Sequence, residues 1–371
     1  MSDLTRRSFV AIGATAAATR ALSVAPAAQW LPHEDLVWTD VKDWPLEGRA
    51  FAKRAAPYDR LPARARGIVR DIVWDLSRHS AGMLVRFATS SPELRIRYRL
   101  TSDRLAMVHM PATGVSGVDL YGHDGQKWRW IDVTRPTKRD VQKRFYTGRQ
   151  MSEPSQFQLY LPLYNGIEKL EVGTVKGAEL SPLAARGSAK KPIVCYGTSI
   201  MQGACASRPG MAWTSIVGRA LDREVINLGF SGNGRMELEV GQFLAELEAS
   251  AFVIDCVPNM TPKQVAQSAQ PLVQQLRAAH KKTPILLVED RTFTNAWFHA
   301  DRADDHRQRR QALRDAFAAL KRDQVDGIHY LPGDDLLGAD GEAATDGSHP
   351  SDLGMLRQAE VVADALRPLL T

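Results

Sequence analysis

The sequence predicts an α/β protein in two parts: an antiparallel β-sandwich, followed by a parallel three-layer α/β/α sandwich. Three observations carry this. Through much of residues 30–180 apolar residues alternate with polar ones at period two, as in strands with one buried face. From residue 192 short apolar runs alternate with stretches of helical periodicity, which implies parallel strands linked by helices. Between them GAELSPLAARGSAKK, residues 177–191, is small, polar and basic, and the boundary is placed there. The expected domains are 28–180 and 190–371.

A chain of 371 residues suits two domains of about 150 residues each. With 44% apolar and 24% charged residues it reads as globular rather than disordered. The formal charge of +6 is spread without a Lys/Arg block, so no nucleic-acid partner is expected. Part of that excess lies in residues 1–27. Arg6-Arg7 precede Ser8-Phe9, a run of small apolar residues, and Ala25-Pro26-Ala27. The order resembles a twin-arginine export signal cleaved after Ala27. The run is short and interrupted by Arg20, a poor membrane anchor. Removing the segment leaves about +4 on a chain expected to be periplasmic or secreted.

In ELRIRYRL, Leu94, Ile96, Tyr98 and Leu100 alternate with Arg95, Arg97 and Arg99. VSGVDLYGHDGQKWRWIDV reads as two strands around Asp124-Gly125, a hairpin signal. FQLYLPLYNGIEKLEVGTV reads as two more around Asn165-Gly166. Few segments before 180 are long and periodic enough for helices. Beyond the boundary, apolar runs at 193–196, 225–228, 252–256, 284–288 and 327–331 predict five strands. Trp213, Ile216, Val217, Ala220 and Leu221 fall on one helix face. Thr261, Pro262 and Gln264 read as an N-cap, a helix-opening proline and a capping-box partner, with Leu272, Val273 and Leu276 continuing that helix. Ser351 is the expected cap of the last helix. Cys195, Cys205 and Cys256 are an odd set, expected to be core thiols. A Cys195–Cys256 bridge stays open if their strands are neighbours.

In such a fold the crevice lies at the carboxyl ends of the strands. Ser199, in CYGTSI, follows the first of them. NLGFSGNG, residues 227–234, follows the second, and its Gly232 can offer an unhindered N–H. CVPNM follows the third, with the Asn259 amide. In DGSHPSD, Asp346 and His349 stand three apart before the last helix. A carboxylate can hold an imidazole through one ring nitrogen while the other faces a serine, which is a weak nucleophile without such a base.

On these residues the part from 192 to 371 resembles the SGNH, or GDSL-type, hydrolase superfamily, with its flavodoxin-like three-layer fold. Its four blocks carry Ser, Gly, Asn and Asp-x-x-His; here these fall on Ser199, Gly232, Asn259, and Asp346 with His349. GVDLY, Gly117 to Tyr121, resembles the G-x-D-L-Y motif of the β-domain preceding some of these esterases, and YGTSIMQGACASRPG resembles that subgroup's nucleophile block. Thr198 stands where many members have Asp, and Val257-Pro258-Asn259-Met260 replaces G-x-N-D. The resemblance implies a serine esterase needing no metal or organic cofactor. Ser199 would be the nucleophile, His349 the base, Asp346 its orienting partner, and Ser199, Gly232 and Asn259 the oxyanion hole.

Other residues carry less. Val118 and Leu120 read as core, with Asp119 a partner for neighbouring backbone. VEDRTFTNAWF, 288–298, follows the fourth strand and should rim the crevice, with Glu289, Arg291 and Asn295 as candidate substrate contacts or as an ion-paired loop. His299, Asp301, Asp304, Asp305 and His306 fit no metal-ligand spacing and read as a solvated helix start. No role is read for His79 or His109. The expected activity is removal of acetyl or similar acyl groups from carbohydrates. The alternatives are a lipid acylhydrolase, separated by chain-length preference, and a non-catalytic glycan-binding protein, against which the complete residue set argues.

Overall fold

The structure, a computed structural model, describes residues 36–148 and 153–370. Residues 1–27, expected to be a twin-arginine signal, lie outside them.

Among the described residues ten strands come first: β1 (Leu36–Asp40), β2 (Leu46–Glu47), β3 (Leu84–Thr89), β4 (Leu94–Leu100), β5 (Asp119–His123), β6 (Trp128–Val133), β7 (Asp140–Tyr146), β8 (Ser155–Tyr160), β9 (Ile167–Val175) and β10 (Leu180–Pro182). They form two antiparallel sheets, one in the order β1-β9-β4-β7, the other β10-β3-β8-β5-β6 with β2 on β3. Ile96, Leu170 and Val172 of the first pack with Phe87, Leu120 and Leu159 of the second. On β4 the alternation holds at Ile96, Tyr98 and Leu100, all buried, against half-buried Arg97 and exposed Arg99. Arg95 departs from it: it is buried and bonded to Glu93.

Asp124-Gly125 joins β5 and β6 as a hairpin. Asn165-Gly166 does not join a pair: β8 and β9 belong to different sheets. The Asn165 side chain turns inward there. It accepts from the Ser102 amide at 3.2 Å and donates to Ser116 Oγ at 3.1 Å, so the chain crosses between sheets instead of folding back.

The second part holds a five-stranded parallel sheet of β11 (Ile193–Gly197), β12 (Val225–Gly229), β13 (Ala251–Asp255), β14 (Ile285–Val288) and β15 (Ile328–Leu331). Each lies within a residue of the apolar run that predicts it. The order is β12-β11-β13-β14-β15, a doubly wound sheet. Eight helices accompany the strands among the described residues: α1 (Asp71–Ser77), α2 (Ala112–Val115), α3 (Ser199–Gln202), α4 (Trp213–Ala220), α5 (Leu238–Leu244), α6 (Pro262–Ala279), α7 (Ala300–Arg322) and α8 (Asp352–Leu366). α4 and α8 cover one sheet face, and α5, α6 and α7 the other.

The two parts interlock more than the sequence suggests. Phe51, Leu61, Ala65, Val69, Val73 and Trp74 belong to the same core as Leu228, Phe230 and Phe243. Residues 51–74 and α1 therefore help cover the parallel sheet, though they precede the boundary. α1 has seven residues, too few for a clear periodic signal. Arg60 is buried between the parts. It donates to the Leu76 and Gly229 carbonyls at 2.6 Å each, to that of His79 at 2.9 Å, and to that of Asn227 at 3.2 Å. Burial pushes its guanidinium down to about 9.

Thr261 and Gln264 form the expected capping box. Ser351 occupies the N-cap position of α8, but its side chain makes no capping bond. On α4, Ala220 is exposed while Thr214 and Gly218 are buried, because Thr214 Oγ1 accepts from Asn227 Nδ2 at 3.0 Å under the helix. All three cysteines are free. Cys195 faces the Trp213 side of the sheet and Cys256 the Phe252 side, so neighbouring strands do not bring their sulfurs together.

Candidate active site

Gly197, at the end of β11, pairs with Gly229 of β12 and Asp255 of β13. Residues following these three strands therefore emerge along one edge. Ser199 opens α3, where Thr198 Oγ1 accepts from the Ile200 amide at 3.3 Å. Beside it the loop after β12 approaches so closely that a Cβ on Gly234 would stand 2.0 Å from the Gly197 oxygen. Gly232 in that loop has φ +70°, a conformation glycine adopts without cost. Asn259 ends the turn after β13, its Oδ1 buried with no hydrogen-bond partner among the described residues.

His349 comes from the loop between β15 and α8. Its Nε2 lies 2.8 Å from Ser199 Oγ and its Nδ1 2.7 Å from Asp346 Oδ2. Asp346 Oδ1 accepts from the backbone amides of Ser348 at 3.0 Å and His349 at 2.8 Å. Burial pushes the Asp346 carboxyl up, but the bonds from the His349 amide and ring outweigh it and hold it below the ordinary carboxylate value. An ionised Asp346 favours a proton on Nδ1 and leaves the Nε2 lone pair toward Ser199. A hydroxyl, an imidazole and a carboxylate in this order can pass a proton from the serine to the ring as the oxygen attacks a carbonyl.

A layer beneath these residues has little signal in the sequence. Tyr164 OH donates to the Ser199 carbonyl at 3.3 Å. Gln202 Oε1 accepts from the Ser231 amide at 3.1 Å, while its Nε2 bonds the Leu163 carbonyl and His79 Nδ1, both at 3.1 Å. Gln202 thus ties the loop of Gly232 to the amino-terminal part. Its place one turn after Ser199 on α3 is the only clue the sequence holds; Tyr164 and His79 have none.

The GVDLY segment joins the two parts. Val118 and Leu120 are buried as core. Asp119 Oδ2 accepts from the Gly210 amide at 2.8 Å and Arg208 Nη1 at 2.9 Å, and Oδ1 accepts from Trp130 Nε1 at 2.7 Å. Tyr121 OH accepts from Arg208 Nη1 at 2.6 Å. Arg208 and Gly210 lie in the loop that leaves α3. Ser207 in that loop bonds Asp352, three residues after His349, through its amide at 2.8 Å and its hydroxyl at 2.5 Å.

Of the three rim candidates, Glu289 and Arg291 are buried in ion pairs, the second of the two expected roles. Glu289 is buried and accepts from Tyr330 OH at 2.6 Å, Arg314 Nε at 2.8 Å and the Gly333 amide at 2.9 Å. Arg291 is buried and pairs through both terminal nitrogens with Asp255, while its Nε donates to Gln358 Oε1 at 2.9 Å. Both turn under the sheet edge, where their charges are matched. Asn295 stays half-buried beside the His349 loop. Its Oδ1 accepts from Arg302 at 2.9 Å, and the adjacent Thr294 amide donates to the Gly347 carbonyl at 2.9 Å. His306 is buried against Asp290, its Nε2 accepting from the Phe293 amide at 3.1 Å. No group of metal-ligating side chains forms among the described residues, and no described helix is long and apolar enough to cross a membrane.

Comparison with known proteins fits this geometry. Residues 190–367 match the family described as GDSL-like lipase/acylhydrolase, and residues 36–180 match the amino-terminal region of SGNH-hydrolase-type esterases, named for GxDLY. A protein of Bacteroides ovatus ATCC 8483, described as a GDSL-like lipase, is 30% identical, with a TM-score of 0.85 over 90% of this chain and 98% of its own. A salicylyl-acyltransferase of a tetracycline biosynthetic pathway shares the fold at 18% identity and a TM-score of 0.71, over 91% of this chain and 98% of its own. An acetyl xylan esterase of the rumen bacterium Butyrivibrio proteoclasticus shares it at 10% identity and 0.56, over 90% and 98%. No curated protein matches. The chain belongs to the GDSL-like lipase/acylhydrolase family and is an SGNH-type esterase with a GxDLY amino-terminal region.

Proposed function

We propose that Ser199, His349 and Asp346 are the catalytic triad of a serine esterase that removes O-acyl groups, chiefly O-acetyl, from carbohydrates. The observation that carries this is the hydrogen-bonded line from Ser199 Oγ to His349 Nε2 at 2.8 Å and from His349 Nδ1 to Asp346 Oδ2 at 2.7 Å. Ser199 attacks the ester carbonyl as His349 takes its proton. Asp346 stabilises the imidazolium. The oxyanion is met by the Ser199 and Gly232 amides and the Asn259 side chain, each donor contributing about 3–4 kcal/mol to the transition state. His349 then protonates the leaving alcohol, and water repeats the cycle to release the acid. The β-sandwich beside the site and the fold shared with an acetyl xylan esterase support a carbohydrate alcohol. The paired arginines Arg6-Arg7 and the Ala25-Pro26-Ala27 site support export by the twin-arginine route.

The test compares residues 28–371 with the Ser199→Ala variant on p-nitrophenyl acetate, butyrate and octanoate and on an acetylated oligosaccharide. The parent is expected to favour acetate and to deacetylate the oligosaccharide, and the variant to lose at least about a thousandfold in kcat. A preference for octanoate would move the substrate to lipids. Equal rates in parent and variant would remove Ser199 as nucleophile.

A further inference from the structure

The ring standing against His349 comes from the other half of the molecule. His109 and His349 have centroids 5.9 Å apart and planes inclined by 32°. His109 lies in the segment joining β4 to α2. A tight turn holds it, the Met107 amide bonding the Met110 carbonyl at 2.9 Å and the Met110 amide the Met107 carbonyl at 3.1 Å. Met110 is buried in one core with Ile200 and Met201 of α3. Just beyond, Thr113 Oγ1 donates to the Ser207 carbonyl at 2.5 Å. The segment is pinned against the helix that carries Ser199. The turn leaves Val108 fully exposed and His109 half-buried. Among the described residues neither ring nitrogen of His109 has a hydrogen-bond partner.

His349 uses both of its own nitrogens, Nε2 toward Ser199 and Nδ1 toward Asp346. In ester hydrolysis the departing alcohol oxygen meets Nε2, which protonates it. An alcohol held at Nε2 can extend along the His349 ring toward His109. A neutral imidazole carries one N–H donor and one lone pair, a combination that a hydroxyl satisfies from either side and a hydrocarbon does not.

We propose that His109 is a substrate-binding residue that selects alcohols bearing a second hydroxyl near the ester oxygen, by hydrogen-bonding that hydroxyl beside His349. This rests on reading Ser199 and His349 as nucleophile and base. It assigns to the amino-terminal part a share in choosing the substrate.

The test pairs glycerol monoacetate with propyl acetate, which share the acyl group and the three-carbon alcohol chain and differ in hydroxyls. The parent should favour glycerol monoacetate in kcat/KM by about tenfold, the size of one hydrogen bond. His109→Ala and His109→Phe should erase the preference by lowering the glycerol ester alone, and His109→Asn should keep part of it. A preference that survives His109→Ala, an equal fall on both esters, or a parent with no preference overturns the proposal. Ser199→Ala is run alongside. If it keeps the parent's rate, the nucleophile reading fails on its own, whatever the preference shows.

Discussion

The carboxylate of Asp119 on β5 accepts a 2.8 Å hydrogen bond from the backbone amide of Gly210, 91 residues later in the loop that leaves the Ser199 helix. Arg208 and Trp130 complete its partners. Burial raises the Asp119 carboxyl, against the pull of Arg208. Removing it leaves a guanidinium, an amide and an indole N–H without their acceptor. Asp119→Ala should destabilise the protein by about 3–5 kcal/mol, measured by urea unfolding. Asp119→Asn should cost less, since it keeps one acceptor oxygen. A loss below about 1 kcal/mol for Asp119→Ala would show that the contact carries little.

Asn259 makes no side-chain hydrogen bond among the described residues, so the fold has little to lose by its truncation. Asn259→Ala should leave the melting temperature within a few degrees and lower kcat by about a hundredfold to a thousandfold, with KM little changed. A variant that changes KM alone would make Asn259 a ground-state contact instead.

Arg291 is a prediction in the opposite sense. It is locked under the sheet edge with Asp255. Asp255, raised by burial and held down by Arg291, would be left buried and unpaired. Arg291→Met should cost about 3–5 kcal/mol of stability, while the folded fraction keeps the parent's KM. A raised KM at unchanged stability would return Arg291 to the substrate rim.

His79 should make the protein sensitive to acid. Burial, and then the nearby Arg60 charge, push its imidazole down to about 3. The unfolded chain takes up this proton near pH 6.5 and the folded protein does not until about 3. Between these values the unfolded state binds more protons, so stability falls as pH falls, by up to about 1.4 kcal/mol per pH unit. His79→Gln removes the titration. The difference in unfolding free energy between parent and variant should therefore shift in favour of the variant from pH 7 to pH 5. A constant difference would show that His79 charges without penalty.

Local signals were strong enough to place the parallel sheet and its edge. The five strands are short, mainly apolar runs, interrupted by Asn227 in β12 and His329 in β15, and the Thr261 capping box is a four-residue pattern. The placement of Ser199, Gly232, Asn259, Asp346 and His349 was legible because each sits just outside a strand or before a helix. For Glu289 and Arg291 the sequence left rim contact and ion pair both open, because a charge after a strand looks the same in sequence whether it faces solvent or a buried partner.

The sequence by itself determined the two fold grammars, the strand edges and the residues gathered at them, since alternation and capping are short-range properties of the chain. Only the tertiary structure decided what lies across the gap. Asp119 meets Gly210, Tyr164 meets Ser199, and the ring of His109 stands against His349. Each pair joins residues far apart in the chain. Such meetings depend on how the two parts pack, and no local pattern encodes that packing.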